Sequence, residues 1–222
     1  MKKQPEFYGE KIKPLTMPVV INDSMKKFVD NVSDVVINAL VGDAKQKMKE
    51  FAPSLLVKFF SYSRFDNFLT CCMCHGDYRP NNILMLGDKD AVSKAITIDY
   101  QTIHCGSPVK DFLHFIITCT DQKFRREHLD HLKELYFCSM GKFLEKFNLD
   151  IEEIYPREEF DRSYKRLLDY VLMVAVFIIP FMFVFEDDVP EFGDPDAKFN
   201  CRGEFNDRIQ GIFDDYISWC DL

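Results

Sequence analysis

Apolar residues recur along most of this chain at three- and four-residue spacing, and only briefly as short unbroken runs. The first pattern predicts helices and the second predicts strands. Phe28, Val32, Val35, Val36, Ala39 and Leu40 share one face after Asn22, Asp23 and Ser24, which are good N-caps. A helix is therefore expected over 25–40, stopped by Gly42. Asp43 with Gln46 predicts a capping box for a short helix to about residue 51. Residues 55–60 read as an amphipathic helix in which Lys58 snorkels to water. By contrast, residues 83–86 and 95–98 are apolar runs separated by Gly87, Asp88, Lys89 and Asp90, the pattern of a β-hairpin.

Helical spacing returns after the hairpin. Ser107 followed by Pro108 predicts a helix start, a hydroxyl N-cap before proline in the first turn. That helix should reach about Cys119, with Phe112, Phe115 and Ile116 inward and the acidic Asp111 complementing its dipole. Leu129, Leu132, Tyr136, Met140, Phe143 and Phe147 form the core stripe of a longer helix after Asp121. Residues 148–156 read as a connector, with Pro156 able to open the next helix. That helix should contain the apolar run 171–185, interrupted only by Pro180. A membrane span needs about 20 apolar residues. The run is shorter and flanked by charge, so it reads as a buried central helix kinked or ended near Pro180. An acidic loop over 187–200 and a last amphipathic helix over 203–220 complete the chain. Residues 1–20 carry Pro5, Pro14 and Pro18 with little periodicity and read as a loose arm. The pattern as a whole specifies an α+β fold, a mainly helical domain over 21–222 with one short hairpin.

Composition narrows the function classes. The chain has 222 residues and a hydrophobic share of 47%, enough for one packed core. The net charge of −8 argues against nucleic-acid binding, which shows a basic patch, but leaves room for phosphates held by Mg²⁺ and a few local donors. Eight cysteines, with no apolar run behind the N-terminal Met-Lys-Lys, point to reduced thiols and a cytoplasmic location. Cys71, Cys72, Cys74 and His75 form one cluster without a second knuckle, so they read as buried strand thiols rather than zinc ligands.

The chemistry concentrates around the hairpin. Before its first strand stand His75, Gly76, Asp77, Tyr78, Arg79, Pro80, Asn81 and Asn82; after its second stand Ile98, Asp99, Tyr100 and Gln101. Closing the hairpin would bring Asp77 and Asn82 opposite Asp99. Phosphoryl transfer needs such a set: a carboxylate to orient a hydroxyl and accept its proton, and hard oxygen donors for Mg²⁺ on the phosphates. The spacing from Asp77 to Asn82 also matches that between the catalytic Asp and the metal-binding Asn of protein kinases.

Three blocks in this order, His75-Gly76-Asp77 with Asn81-Asn82, Ile98-Asp99-Tyr100-Gln101, and Gly106-Ser107-Pro108 with Asp111-Phe112, resemble the ecdysteroid kinase-like (CHK kinase-like) family. That family lies within the aminoglycoside phosphotransferase and choline kinase superfamily. Arg79 stands where the family has Trp; Tyr100 and Phe112 are milder departures. The resemblance implies the C-terminal lobe of a small-molecule kinase, using ATP and Mg²⁺ and taking an alcohol, such as a steroid-like hydroxyl, as acceptor. The family's N-terminal lobe carries a Gly-rich loop, a phosphate-contacting Lys and its Glu partner, which this sequence does not show. Lys58 lies too close to His75 to be that Lys. By the same resemblance Asp77 is the catalytic base, Asn82 and Asp99 hold the metal, His75 and Asp111 support the catalytic loop, and Asn81 and Gln101 are candidates for indirect or substrate contacts. The alternative is a truncated, non-catalytic kinase-like protein, with any partner that supplies the missing lobe unidentified. Without that lobe the site should be shallow and open.

Overall fold

In the computed structural model, residues 22–63, 70–88 and 91–220, with the isolated positions 6 and 10, are described. The arm expected over 1–20 lies outside these segments, apart from those two positions. The fold is mainly helical, with two small antiparallel sheets.

Helix α1 (Asp23–Ala39) is capped by the Asn22 side chain, which accepts from the Met25 N–H at 2.8 Å. Helix α2 (Gly42–Phe51) has Val41 rather than Asp43 at its N-cap, so it begins two residues earlier than the capping box would place it, with no side-chain cap. The capping box therefore does not form. Gln46 donates to Glu50 instead, and the Val41 N–H finds Gln210 of the last helix. Helix α3 (Leu55–Ser63) confirms the helical reading of residues 55–60. Its Lys58 does not snorkel freely, because it forms a half-buried ion pair with Asp169.

Strand β1 (Cys72–Cys74) leads into the loop of interest. Strands β2 (Ile83–Asp88) and β3 (Ala91–Thr97) form the predicted hairpin, longer than its apolar core because pairing runs on past a bulge at Leu86 and Gly87. Strand β4 (His104–Gly106) pairs antiparallel with β1, an addition that three residues of sequence do not announce. The expectation of buried thiols in β1 is corrected in part: Cys74 is buried, whereas Cys72 is exposed and Cys71 partly so. Cys72 and Cys74 share one face of the strand, their sulfurs 4.0 Å apart, so burial increases along the strand toward Cys74 rather than alternating between faces.

Helix α4 (Pro108–Cys119) starts as predicted, with Ser107 accepting from the Val109 N–H at 3.4 Å. Helix α5 (Gln122–Glu145) carries the expected stripe only in part. Leu129, Leu132, Tyr136 and Met140 pack on the core, but Phe143 and Phe147 are more than half exposed and stack on each other at 5.3 Å. The stripe outruns the core it was read to cover. The connector contains a short helix, α6 (Ile151–Ile154). The single long helix expected next divides into α7 (Arg157–Arg166) and α8 (Leu168–Phe177), followed by α9 (Ile179–Phe183). The break before α9 falls at Ile178, because Pro180 is accepted only in a helix's first turn. Helix α8 is buried almost throughout and packs against α4 and α10 (Glu204–Cys220). Among the described residues no helix is long and apolar enough to cross a membrane.

Candidate active site

The loop from His75 to Asn82 owes its shape to a few contacts that only certain residues allow. Gly76 has φ +85, and a Cβ there would lie 2.5 Å from the Thr102 carbonyl oxygen. A residue without a side chain is required on both counts. The N–H groups of His75 and Gly76 donate to the two carboxylate oxygens of Asp111, at 2.6 and 3.0 Å. Asp111 belongs to the first turn of α4, so that helix fixes the loop's backbone. His75 is buried. Its Nε2 lies 2.8 Å from the Ile98 carbonyl, which can only accept, so Nε2 carries the hydrogen and Nδ1 faces the Asp77 N–H at 3.4 Å.

The far end of the hairpin is tied to the same loop. The Ile98 N–H donates to the Asn82 carbonyl at 3.0 Å, and the Thr102 hydroxyl to the His75 carbonyl at 2.9 Å. The Tyr100 ring lies 4.7 Å from that of His75. Asp99 stands between these anchors with φ 62 and ψ 65, a left-handed backbone that few residues other than Gly adopt. Such strain persists only where surrounding contacts enforce it. Its carboxylate is exposed and meets the Gln101 amide at 3.5 Å. Closing the hairpin thus brings the Asp99 segment onto the Asp77–Asn82 loop.

Asp77 is held from three sides. Its Oδ2 accepts from Arg79 Nε at 3.0 Å and from Asn82 Nδ2 at 2.9 Å; the same Asn82 nitrogen reaches the Asp77 carbonyl at 2.8 Å. Its Oδ1 lies 3.6 Å from Nε2 of His114, beyond a good hydrogen bond. His114 is buried on α4 and its Nδ1 is 3.4 Å from the Tyr170 hydroxyl. Burial pushes its pKa down to about 4, so the imidazole is neutral near pH 7. Lys110, one turn earlier on α4, is buried too; it donates to the Tyr62 carbonyl at 2.9 Å and lies 2.7 Å from His104 Nε2. Burial lowers the pKa of both Lys110 and His104.

A cavity of about 640 Å³ opens beside Asp77, lined by Asp77, Asn81 and Gln101 at one end. Arg79, Thr102, His104, Lys110 and His114 add further polar groups to the lining, and the rest is aromatic and aliphatic side chains of α3, α8 and α9 with Val189, Pro190 and Phe192. The expectation of a shallow, open site holds only in part: the cavity is sizeable, yet it stays open to solvent. Helices that read as plain core turn one face of Tyr170, Met173 and Phe177 toward this space. Asn82 and Asp99 are not part of the cavity wall. His114, Lys110 and Tyr170 escaped the sequence reading because helical spacing assigns them to packing. The one signal was position: His114 lies three residues after Asp111, on the same face of α4.

The donor set suits Mg²⁺. The Asn82 amide spends its nitrogen on Asp77, which turns its oxygen elsewhere, and that oxygen has no hydrogen bond among the described residues. Asp99 adds one exposed carboxylate. Among the described residues no three His, Cys, Asp or Glu cluster as metal ligands. A cation here would therefore rest on one carboxylate and an amide, completed by phosphate oxygens and water, as Mg²⁺ commonly does.

Comparison with known proteins places this arrangement. No curated protein and no solved structure matches the chain. The model of the ecdysteroid kinase-like family matches residues 2–149, which span the loop, the hairpin, α4 and α5. Such kinase-like proteins generally use ATP and Mg²⁺. The match takes in more than half of the 222 residues and all three sequence blocks that surround Asp77, and on that ground the chain belongs to the ecdysteroid kinase-like family.

Proposed function

We propose that this chain transfers the γ-phosphoryl group of ATP to the hydroxyl of a bulky, largely apolar alcohol, with a steroid-like skeleton as the best fit. The observation that carries the reading is that Asp77 lines a 640 Å³ cavity in which a few polar groups, among them Arg79, Asn81, Gln101 and Lys110, stand beside a larger aromatic and aliphatic surface. Ligand sites of this size bury most of a drug-sized molecule and orient it with a few polar groups. Asp77 orients the hydroxyl and accepts its proton. The alcohol oxygen forms a bond to the γ-phosphorus, the bond to the bridging oxygen breaks, and its electron pair leaves on ADP. Asn82 and Asp99 would hold Mg²⁺, which would supply charge neutralisation on the phosphates. Asp111 and His75 keep the loop in shape, and Gln101 and Asn81 face the acceptor.

A second reading, a kinase-like protein without turnover, is favoured by Lys58. Its ammonium is committed to Asp169, and neither residue lines the cavity. Turnover of Mg-ATP with a panel of sterol and smaller alcohols separates the two. The kinase reading expects activity that falls about 10²–10⁴-fold in Asp77→Asn, the usual worth of a general base, and is lost in Asp99→Asn. Activity unchanged in both variants, with phosphorylated alcohol still formed, would overturn the assignment.

A further inference from the structure

Among the described residues, Arg79 is the one cation bonded to the Asp77 carboxylate at the centre of this site. Its Nε donates to Asp77 Oδ2 at 3.0 Å, and its backbone N–H donates to the Asp77 carbonyl at 3.1 Å. A guanidinium carries five N–H donors. Among the described residues only the Nε–H of Arg79 has a partner, while the side chain is about a third exposed and lines the cavity beside Asp77 and Asn81. Asp77 is crowded in turn. Oδ2 already accepts from Arg79 and Asn82, and Oδ1 is buried against His114. Oδ1 is unbonded but buried, and Oδ2 is doubly bonded, so a substrate hydroxyl gains easy access to this carboxylate only when a donor on Oδ2 withdraws. Asn82 is buried and bonded twice to Asp77, whereas Arg79 is the flexible, partly exposed member.

We infer that Arg79 is the phosphoryl-binding residue of this site, exchanging its bond to Asp77 for the transferred group. This rests on the kinase reading above. The charges favour the exchange in the direction of reaction. Once Asp77 takes the hydroxyl proton it is neutral and holds Arg79 weakly, while the new phosphomonoester carries up to two negative charges beside it. The planar guanidinium fork suits phosphate oxygens, which it commonly engages through two parallel N–H bonds.

Two measurements test the assignment. In the first, turnover of Mg-ATP and alcohol is compared for wild type, Arg79→Ala, Arg79→Lys and Asp77→Asn. Loss of one preorganised donor to the reacting charge costs about 10²–10³-fold in kcat. Arg79→Ala should lose about that much with KM for ATP nearly unchanged, and Arg79→Lys should recover part of it. If Asp77→Asn is inactive but Arg79→Ala turns over as fast as wild type or faster, Arg79 merely caps the base; the inference fails and the kinase reading stands. The second needs no turnover: binding of inorganic phosphate in the presence of Mg²⁺, by calorimetry on folded proteins that all carry Asp77→Asn, whose neutral amide stands for the protonated carboxyl and frees Arg79, with position 79 as Arg, Ala or Lys. At least tenfold weaker binding in Arg79→Ala, partly restored in Arg79→Lys, supports the assignment even if no alcohol is phosphorylated. Equal binding in all three proteins overturns it.

Discussion

Nε2 of His114 faces Oδ1 of Asp77 at 3.6 Å, and both atoms are buried without a hydrogen bond among the described residues. Burial holds the imidazole neutral, because a charged ring here would lose its hydration. Unfolded, this histidine titrates near 6.5; folded, near 4. Between those values the unfolded chain takes up a proton that the folded chain refuses, so stability is complete above about pH 6.5 and falls as pH drops toward 4. At 1.36 kcal/mol per pH unit the loss is up to about 3 kcal/mol. Urea unfolding at pH 7.5 and pH 5 should show a steeper decline in wild type than in His114→Asn. His104, shifted in the same direction, is common to both proteins and does not confuse the difference.

Asp111 is the acceptor for two backbone N–H groups of the loop. Asp111→Ala leaves both without their partner and removes the acidic residue from the first turn of α4. Hydrogen bonds to a charged group contribute about 1.5–3 kcal/mol each. The variant should lose about 3 kcal/mol in chemical denaturation. Amide exchange at His75 and Gly76 should accelerate even at temperatures where the fold is intact. Unchanged exchange at those two amides would show that the loop holds its shape by other means.

Gly76→Ala tests the close approach of the loop to Thr102. A methyl group would sit 2.5 Å from a carbonyl oxygen on a left-handed backbone. Strain in the backbone and overpacking together should cost about 2–4 kcal/mol. Gly42→Ala is the control: its φ is +57, but a Cβ there meets nothing within 4 Å. A smaller melting-temperature loss in Gly42→Ala than in Gly76→Ala is the expected order.

Away from the site, Asp215 on α10 joins two elements. It accepts from the buried Arg125 at 2.7 Å, and from Gln122 and Arg126 at 3.2 Å. Asp215→Ala strands a guanidinium that is 1% exposed, which should destabilise the protein by about 3–5 kcal/mol. Arg126→Ala removes an exposed partner and should cost under about 1 kcal/mol. Equal losses in the two variants would contradict the picture of one buried pair with an exposed adjunct.

Much of the molecule was legible before its structure. The Asn22 cap, the start of α4 at Ser107-Pro108, the hairpin and the final helix all follow from short-range rules, since caps, turns and periodicity act within a few residues. The sequence blocks around Asp77, Asn82 and Asp99 were equally readable as a spacing of residue types, although the loop's shape is held by Asp111 and Thr102 from farther along the chain. Less legible were features whose cause lies elsewhere in the chain. The split between α7 and α8, the solvent exposure of Phe143 and Phe147, and the pairing of β1 with β4 depend on where the core ends and which backbone groups meet.

By itself the sequence determined the local grammar of the site: which residues carry carboxylates and amides, how far apart they lie along the chain, and which glycine permits the turn. Only the tertiary structure decided what surrounds them. It set His114 against Asp77, drew Arg79 onto the same carboxylate, and opened a cavity walled by helices whose side chains look, one by one, like ordinary core. The physical reason is distance along the polymer. A cap or a turn is settled by neighbours in the chain. A buried imidazole gains its altered proton affinity, and an apolar face gains its empty volume, only from residues that folding brings in from far away.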